Sequence, residues 1–197
     1  PQEVRESGFR FSPQVHRREL AGDEYDLVLT NRRLSIVDLS PAGHQPMCDQ
    51  DGRIWITYNG AIYNYKELRE ELRRLGHVFV SNSDTEVILA SYKQHGEECV
   101  KYFNGMFAFA IWDEREKSLF ASRDRMGKKP FYYTYQNGVF AFASELTALR
   151  QLDFLQFTIE QGVLAQFLSY KHIPTPQSIY REVYKLRPSH NLRFAKG

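Results

Sequence analysis

The stretch Met106-Phe107-Ala108-Phe109-Ala110-Ile111-Trp112 decides which class of fold this sequence can adopt. Successive side chains of a β-strand point to opposite faces of the sheet, and here both alternating sets of side chains are apolar. A strand that is apolar on both faces is buried on both faces, so it must lie inside a layered fold. The run is far too short to cross a lipid bilayer as a helix.

Short turns join this strand and its neighbours along the chain. The charged segment 113–117 predicts a turn, after which residues 118–122 return as a partner strand. The dipeptide Asn137-Gly138 separates two further apolar stretches, 131–135 and 139–143, and is typical of a two-residue type I′ hairpin. Because tight turns connect antiparallel neighbours, the sheets are predicted to be antiparallel.

Capping signals predict the first helices. Ser83 followed by Glu86 is a capping box ahead of an apolar run, and Asn64 is a second N-cap candidate. We expect helices at 64–76, 83–96, 145–150 and 159–170 (the last capped by Thr158), and further extended segments at 25–30, 34–37, 54–58 and 77–80. Separate helices and antiparallel strands predict an α+β sandwich in which helices cover stacked sheets.

Composition and charge exclude several classes of protein. The 197 residues carry 26 basic and 24 acidic side chains, a net charge of +2 with both signs interspersed. This balance predicts neither a nucleic-acid partner nor a membrane partner. Two cysteines cannot form a disulfide framework, which is typical of a reducing compartment such as the cytoplasm. Neither a leader peptide nor a linker is evident, so a single domain is expected.

Taken one at a time, the polar motifs are weak indicators of chemistry. His44 and Cys48 are four residues apart, but a lone pair is a poor metal signal, and no metal site is predicted. Asn59-Gly60 is either a turn or a pair of donors for an oxyanion, supplied by the Asn amide and the Gly N–H. Arg33 is either solvated or holds a carboxylate. Asp84 at a helix start is commonly structural.

Taken in order, the motifs resemble those of one family from about Leu29 to the end of the chain. The matching segments are R-L-S-I-V-D-L at 33–39, G-H-Q-P-M at 43–47, N-G-A-I-Y-N at 59–64, S-D-T-E at 83–86, N-G-M-F-A-F-A at 104–110, R-D at 123–124 through Pro130, and A-S-E at 143–145. Together they resemble the glutaminase domain of asparagine synthetases, a class II glutamine amidotransferase.

The resemblance implies an N-terminal-nucleophile hydrolase fold, a four-layer sandwich with two antiparallel sheets between helical layers. In that family an N-terminal cysteine attacks the side-chain amide of glutamine, with its own α-amine as the base. By resemblance, Asn59 and Gly60 hold the oxyanion. The expected glutamine-binding residues are Arg33 for the α-carboxylate, the backbone of Leu34, Ser35, Ile36 and Val37, and Asp84 for the α-ammonium, with Ala61 at the position of a second ammonium-binding residue.

The resemblance also implies partners. Ammonia would pass to a C-terminal synthetase domain that activates aspartate with ATP and Mg²⁺, so no cofactor is expected in this domain. The family's S-G-G-x-D-S loop for ATP does not occur in the chain. A homodimer is compatible with the resemblance.

Two departures from the family pattern bear on function. The chain begins at Pro1 and not at the nucleophilic cysteine, so we expect it to be truncated there and inactive by itself. The family's Glu after Asn-Gly, which helps to bind the ammonium, is Ala61 here. These departures leave open a non-catalytic scaffold for docking or for another ligand. Another class II amidotransferase is a third alternative, although residues 43–47 favour the asparagine synthetase branch.

Overall fold

A computed structural model describes residues 26–33 and 37–195. Four α-helices and eight strands occur in this part of the chain. The strands are β1 (Met47–Cys48), β2 (Ile54–Ile62), β3 (Gly105–Asp113), β4 (Ser118–Arg123), β5 (Tyr132–Gln136), β6 (Val139–Ala143), β7 (Tyr184–Lys185) and β8 (Asn191–Ala195). The helices are α1 (Tyr65–Arg74), α2 (Asp84–His95), α3 (Leu146–Leu149) and α4 (Gln161–Tyr170), with 3₁₀ turns at Pro41–Gly43 and Gly96–Tyr102.

The described strands form two sheets. One has the strand order β1-β2-β3-β4-β8 and the other the order β6-β5-β7. The pairs β1–β2, β5–β6 and β5–β7 are antiparallel, with Met47 opposite Ile56 and Tyr132 opposite Ala143. Two antiparallel sheets with separate helices make an α+β fold, which confirms the predicted fold class.

The chain divides into two compact units, and the first comprises Pro1–Tyr58, Ile62–Asn104 and Ala110–Ser118. Helices α1 and α2 pack on each other within it. Helix α2 supplies much of the core, since Val87 and Ile88 are completely buried. Cys99, on the 3₁₀ turn after α2, is completely buried as well.

The second unit comprises Asn59–Ala61, Gly105–Phe109 and Leu119–Gly197. One of its core clusters joins β6 and α3 to the segments that follow them. Its buried members are Ala141, Leu149, Leu155 and Val183, and Tyr132, Ala143, Leu146, Leu152, Phe157 and Tyr180 pack against them.

The strand that decided the fold class has the predicted burial. Residues 107–111 of β3 are buried without interruption, so both faces of the strand are covered. β4 follows directly as its hairpin partner in the sheet. The turn between β5 and β6 is also as predicted, because Asn137 has φ 51° and Gly138 has φ 79°, the pair of positive angles that a type I′ turn requires.

Strand β2 is longer than predicted. The sequence predicted a strand over 54–58 that ends at Asn59-Gly60, but β2 runs on to Ile62. The turn preference of Asn-Gly is a local tendency, and pairing inside a five-stranded sheet overrides it here. The turn interpretation of Asn59-Gly60 is therefore wrong.

Two predicted strands are absent from the structure. Residues 26–30 and 77–80 lie outside any helix or strand, while residue 25 and most of the predicted segment 34–37 lie outside the described residues. Val78 is 71% exposed and Val80 is 65% exposed. These β-branched side chains have no buried face to cover, so a local strand preference is not realised.

The capping predictions were right at Ser83, right only in the position of the N-cap residue at Asn64, and wrong at Thr158. Ser83 Oγ accepts a hydrogen bond from Thr85 N and caps α2, which ends at Gly96 with φ 59°. Asn64 makes no capping bond; its side chain donates to Tyr102 O and accepts from Asn104 N. Thr158 does not cap α4, which begins at Gln161 after Glu160.

Candidate active site

Asn59 and its neighbours lie within a regular strand. Asn59, Gly60 and Ala61 are half-buried near the end of β2. Asn59 Nδ2 donates a hydrogen bond to Ser144 Oγ at 3.3 Å. A side-chain amide carries two N–H donors, so this bond leaves the second N–H for another acceptor. A strand backbone holds both Asn59 and Gly60 in a defined direction, as a pair of oxyanion donors requires.

Asp84, the first residue of α2, is tied to the same strand. Its side chain is buried, and Oδ2 accepts hydrogen bonds from Tyr58 Oη at 2.8 Å and from Ile62 N at 3.0 Å. Tyr58 and Ile62 flank the Asn-Gly-Ala segment on β2. Both of these hydrogen bonds therefore meet the same carboxylate oxygen.

These contacts give Asp84 a structural role. Burial and the carboxylate of Asp84 raise the pKa of Tyr58, so its hydroxyl stays protonated and remains a donor across the physiological range. Hydrogen bonds to a charged acceptor are stronger than bonds between neutral groups. The two hydrogen bonds to Oδ2 thereby fix the start of α2 to β2.

The guanidinium of Arg33 packs directly against Gly43. Its Nη2 atom donates to Asp38 O. A Cβ atom added at Gly43 would lie 2.5 Å from Arg33 Nη2 and 3.0 Å from Asp38 Cβ, closer than non-bonded atoms approach. The glycine of the G-H-Q-P-M segment is therefore needed for the observed position of the guanidinium.

Asp38 connects the Arg33 loop to the start of α2. Its Oδ1 accepts from Ser40 N and its Oδ2 accepts from Asn82 N, both at 2.8 Å. Burial raises the pKa of Asp38, but the hydrogen bonds from Ser40 and Asn82 and the charge of Arg33 outweigh burial and lower the pKa below its usual value. An ionised Asp38 thus joins the segment after Arg33 to Asn82, two residues before Asp84.

Gln45 is a second connecting residue. Its Oε1 accepts from Tyr58 N at 2.7 Å, and its Nε2 donates to Thr85 Oγ1 at 3.4 Å. One buried amide therefore joins the loop that carries G-H-Q-P-M to β2 and to α2. Sequence reasoning assigned no role to Asp38 or Gln45, although both lie in the motifs that carry the resemblance, because their hydrogen-bond partners are distant along the chain.

His44 is buried beside these groups, with Nδ1 2.9 Å from Pro41 O. Burial lowers its pKa, and the charge of Arg33 lowers it further. The imidazole is therefore neutral at physiological pH. Within the described part of the chain, no group of three or more His, Cys, Asp and Glu side chains is arranged to hold a metal ion.

Of the four residues whose backbone is predicted to line the ligand, the structure describes only Val37. Val37 is 39% exposed, whereas Leu34, Ser35 and Ile36 lie outside the described residues. The structure thus joins Asp84 to the residues on both sides of Asn59–Ala61 and links Arg33 to Asn82 through Asp38.

Neither cysteine has the environment of an activated nucleophile. Cys99 is completely buried, and burial raises its pKa to about 12, so the thiolate is not populated at neutral pH. Cys48 is half-buried on β1. Both lie inside the chain, and neither carries a free α-amine.

No helix in the described part of the chain is both long and apolar enough to span a membrane.

Comparison with known proteins identifies a family model and several relatives whose names all refer to glutamine. A family model described as "Glutamine amidotransferase domain" matches residues 18–197. Asparagine synthetase [glutamine-hydrolyzing] 3 of Bacillus subtilis is 41% identical over 176 residues, which is 88% of this chain and 28% of that protein. Putative asparagine synthetase [glutamine-hydrolyzing] 2 of Methanocaldococcus jannaschii is 40% identical, covering 86% of this chain and 36% of that protein.

Two further similarities widen the comparison. Amidase chry2 of Gibberella zeae is 37% identical over 86% of this chain and 25% of its own length. The chain spans about a quarter to a third of the length of these curated relatives. Among solved structures, the glutamine phosphoribosylpyrophosphate amidotransferase of B. subtilis superposes with a TM-score of 0.50 at 23% identity, covering 56% of this chain and 26% of that one. This likeness concerns the fold alone.

Proposed function

Because the chain belongs to the glutamine amidotransferase domain family, we propose that it is the part of a larger protein that binds glutamine and releases ammonia from its side-chain amide. The observation that carries the proposal is the arrangement of β2. Asn59 and Gly60 stand between two residues, Tyr58 and Ile62, that are both bonded to the buried carboxylate of Asp84. A strand that presents amide donors and is anchored to a carboxylate suits an amino-acid amide as substrate.

Each site residue has a role in this proposal. Asn59 Nδ2 and Gly60 N donate to the oxyanion of the tetrahedral intermediate. Arg33 binds the α-carboxylate of glutamine in the two-point manner of guanidinium groups. Asp84 meets the α-ammonium, the backbone of Leu34, Ser35, Ile36 and Val37 lines the ligand, and Ala61 leaves open the position of the family's second carboxylate.

The chemistry needs a cysteine with a free α-amine. Its sulfur bonds to the side-chain carbonyl carbon of glutamine, the carbon–nitrogen bond breaks, and ammonia leaves with the proton that the α-amine took from the thiol. Water then hydrolyses the thioester to glutamate and regenerates the thiol. Neither Cys48 nor Cys99 suits this role, so the proposal assigns the nucleophile to the whole protein and not to these 197 residues.

The fate of the ammonia is also a proposal. The relatives named asparagine synthetase support a synthetase portion that amidates aspartate with ATP and Mg²⁺, a ligase reaction, and no cofactor is assigned to this chain. A similar stretch of chain also occurs in a protein named an amidase, and we assign the choice of acceptor to the rest of the polypeptide. We place the protein in the cytoplasm because both of its cysteines are free thiols, and a homodimer remains compatible with this function.

One observation favours a second candidate, a scaffold that does not hydrolyse glutamine. Ala61 removes a carboxylate that would share the ammonium with Asp84, and Asp84 Oδ2 already accepts two hydrogen bonds.

The test is a glutaminase assay on the full-length protein, with Arg33→Ala and Asp84→Asn as site variants and Arg73→Ala on the exposed face of α1 as a charge control. Glutaminase activity that both site variants reduce and the control keeps supports the proposal. Absence of glutamate formation supports the scaffold, whereas equal activity in all variants would contradict the roles given to Arg33 and Asp84.

A further inference from the structure

Ser144 stands at a junction between two regular elements. It follows the last residue of β6 and precedes the N-cap residue of α3. The side chain is half-buried, and its Oγ accepts the hydrogen bond from Asn59 Nδ2 at 3.3 Å. Residues 59 and 144 are 85 positions apart in the chain, yet they belong to the same compact unit.

We propose that Ser144 is a positioning residue for the amide of Asn59 that donates to the oxyanion. The inference rests on the proposed function, in which Asn59 is an oxyanion donor. The terminal torsion of an asparagine side chain is broad, so an isolated amide samples a wide range of directions. When one N–H is bound to a fixed hydroxyl, the direction of the other N–H is restricted too.

The backbone around Ser144 is well suited to hold that hydroxyl in place. On one side, Ala143 is in register with Tyr132 of β5. On the other side, Ala148 N donates to Glu145 O, and Leu149 of α3 is buried in the core cluster. A hydroxyl between a paired strand and a packed helix moves less than one on an exposed loop. Donors that are oriented before the reaction stabilise the oxyanion without reorganisation.

The alternative is that Ser144 only satisfies a polar group and supports local packing. Kinetics separate the two roles. A hydrogen bond that acts through Asn59 affects the tetrahedral intermediate, so its loss lowers kcat and leaves the KM for glutamine nearly unchanged. A general loss of packing lowers stability whether or not Asn59 is present.

The experiment measures glutaminase kinetics of the full-length protein and of Ser144→Ala, Ser144→Thr, Asn59→Ala and the double variant. Loss of one ordinary hydrogen bond predicts a fall in kcat of about 2- to 12-fold for Ser144→Ala. Thr keeps the hydroxyl and should restore kcat. Loss of an oxyanion donor in Asn59→Ala should cost about 100- to 1,000-fold. In that background, Ser144→Ala should cause no further loss, because contacting residues are not additive.

Each outcome is decisive. If Asn59→Ala lowers kcat but Ser144→Ala does not, or if the two losses multiply, Ser144 does not act through Asn59 and the inference is overturned. If the full-length protein lacks glutaminase activity, or if Asn59→Ala is as active as the parent, the proposed function fails, and the inference fails with it. Should Ser144→Ala not fold, Ser144→Cys replaces it, because a thiol is a weak acceptor of similar size. The same fall in kcat is then expected.

Discussion

Replacing Gly43 by alanine tests whether Arg33 is held in place for a substrate carboxylate. The added methyl carbon would lie 2.5 Å from Nη2 and 3.0 Å from Cζ of Arg33, and 3.0 Å from Cβ of Asp38. Non-bonded carbon atoms settle at about 3.5–4.0 Å, so the guanidinium must move by roughly 1 Å. Asp38 cannot yield as easily, because both of its carboxylate oxygens are bonded to backbone N–H groups.

The displaced guanidinium should bind the α-carboxylate of glutamine less well. A hydrogen bond to a charged group contributes about 1.5–3 kcal/mol, and each 1.4 kcal/mol changes affinity about tenfold. We therefore expect Gly43→Ala to raise the KM for glutamine by about 10- to 150-fold in the full-length protein. The effect on kcat should be small, because the carboxylate is bound alike in the ground state and the transition state.

Gly162→Ala is the matched control. Gly162 lies in α4, and a Cβ atom there would have nothing within 4 Å. The same chemical change should leave the KM for glutamine unaltered and stabilise the helix by up to about 1 kcal/mol. In an Arg33→Ala background, Gly43→Ala should raise the KM no further. An unchanged KM in Gly43→Ala, or a further rise in the Arg33→Ala background, would refute the inference that Gly43 sets the position of the Arg33 guanidinium.

Three further predictions concern the substrate, the nucleophile and acid stability. Ala61→Glu should lower the KM for glutamine by about 10- to 150-fold in the full-length protein, by supplying a second carboxylate for the ammonium; an unaltered KM would mean that the ammonium does not face Ala61. The purified 197-residue chain should release no ammonia from glutamine in a coupled assay, and turnover abolished by Cys48→Ala would contradict this. Asp38 has a lowered pKa, so its contribution to stability is present above its unfolded pKa of about 3.9 and is lost as the pH falls through the lower, folded value. Urea unfolding of Asp38→Asn should therefore show a weaker dependence on acid pH than the parent, and equal slopes would contradict the assignment.

The features that sequence predicted correctly are those fixed by nearby residues. The unbroken burial of 107–111 follows from the apolar composition of both strand faces. The β5–β6 turn follows from the ability of Asn137 and Gly138 to adopt positive φ. The cap at Ser83 requires an N–H only two residues away. The turn and the cap depend on groups that are close in sequence, and the burial of 107–111 follows from the residue pattern alone.

The features that sequence missed depend on distant partners. Asn64 is of a residue type that commonly caps helices, but its side chain makes hydrogen bonds to Tyr102 O and Asn104 N instead. The predicted strand at 77–80 fails because nothing covers Val78 and Val80. Asn59-Gly60 reads locally as a turn, and only its place in the five-stranded sheet keeps it extended.

The same distinction holds for the candidate site. Residue types and motif order identified Asn59, Arg33 and Asp84 through resemblance, yet gave no sign of what holds them. The connections run through Gln45 to β2, through Asp38 to Asn82, and from Tyr58 to Asp84. These pairs are 13, 44 and 26 positions apart, and a single sequence contains no information on such pairings.

The contacts of Asp84 bear on the effect of having alanine and not glutamate at position 61. Asp84 Oδ2 is occupied by Tyr58, whose raised pKa keeps it a donor, and by Ile62 N. A substrate ammonium has three N–H donors, and two hydrogen bonds from described residues already meet Asp84 Oδ2. With no carboxylate at Ala61, the proposed function makes recognition of glutamine depend more heavily on Arg33 than it would with glutamate at this position. A binding site with one strong anchor also accepts other carboxylates, so discrimination between glutamine and simple carboxylic acids should be lower here and should rise in Ala61→Glu.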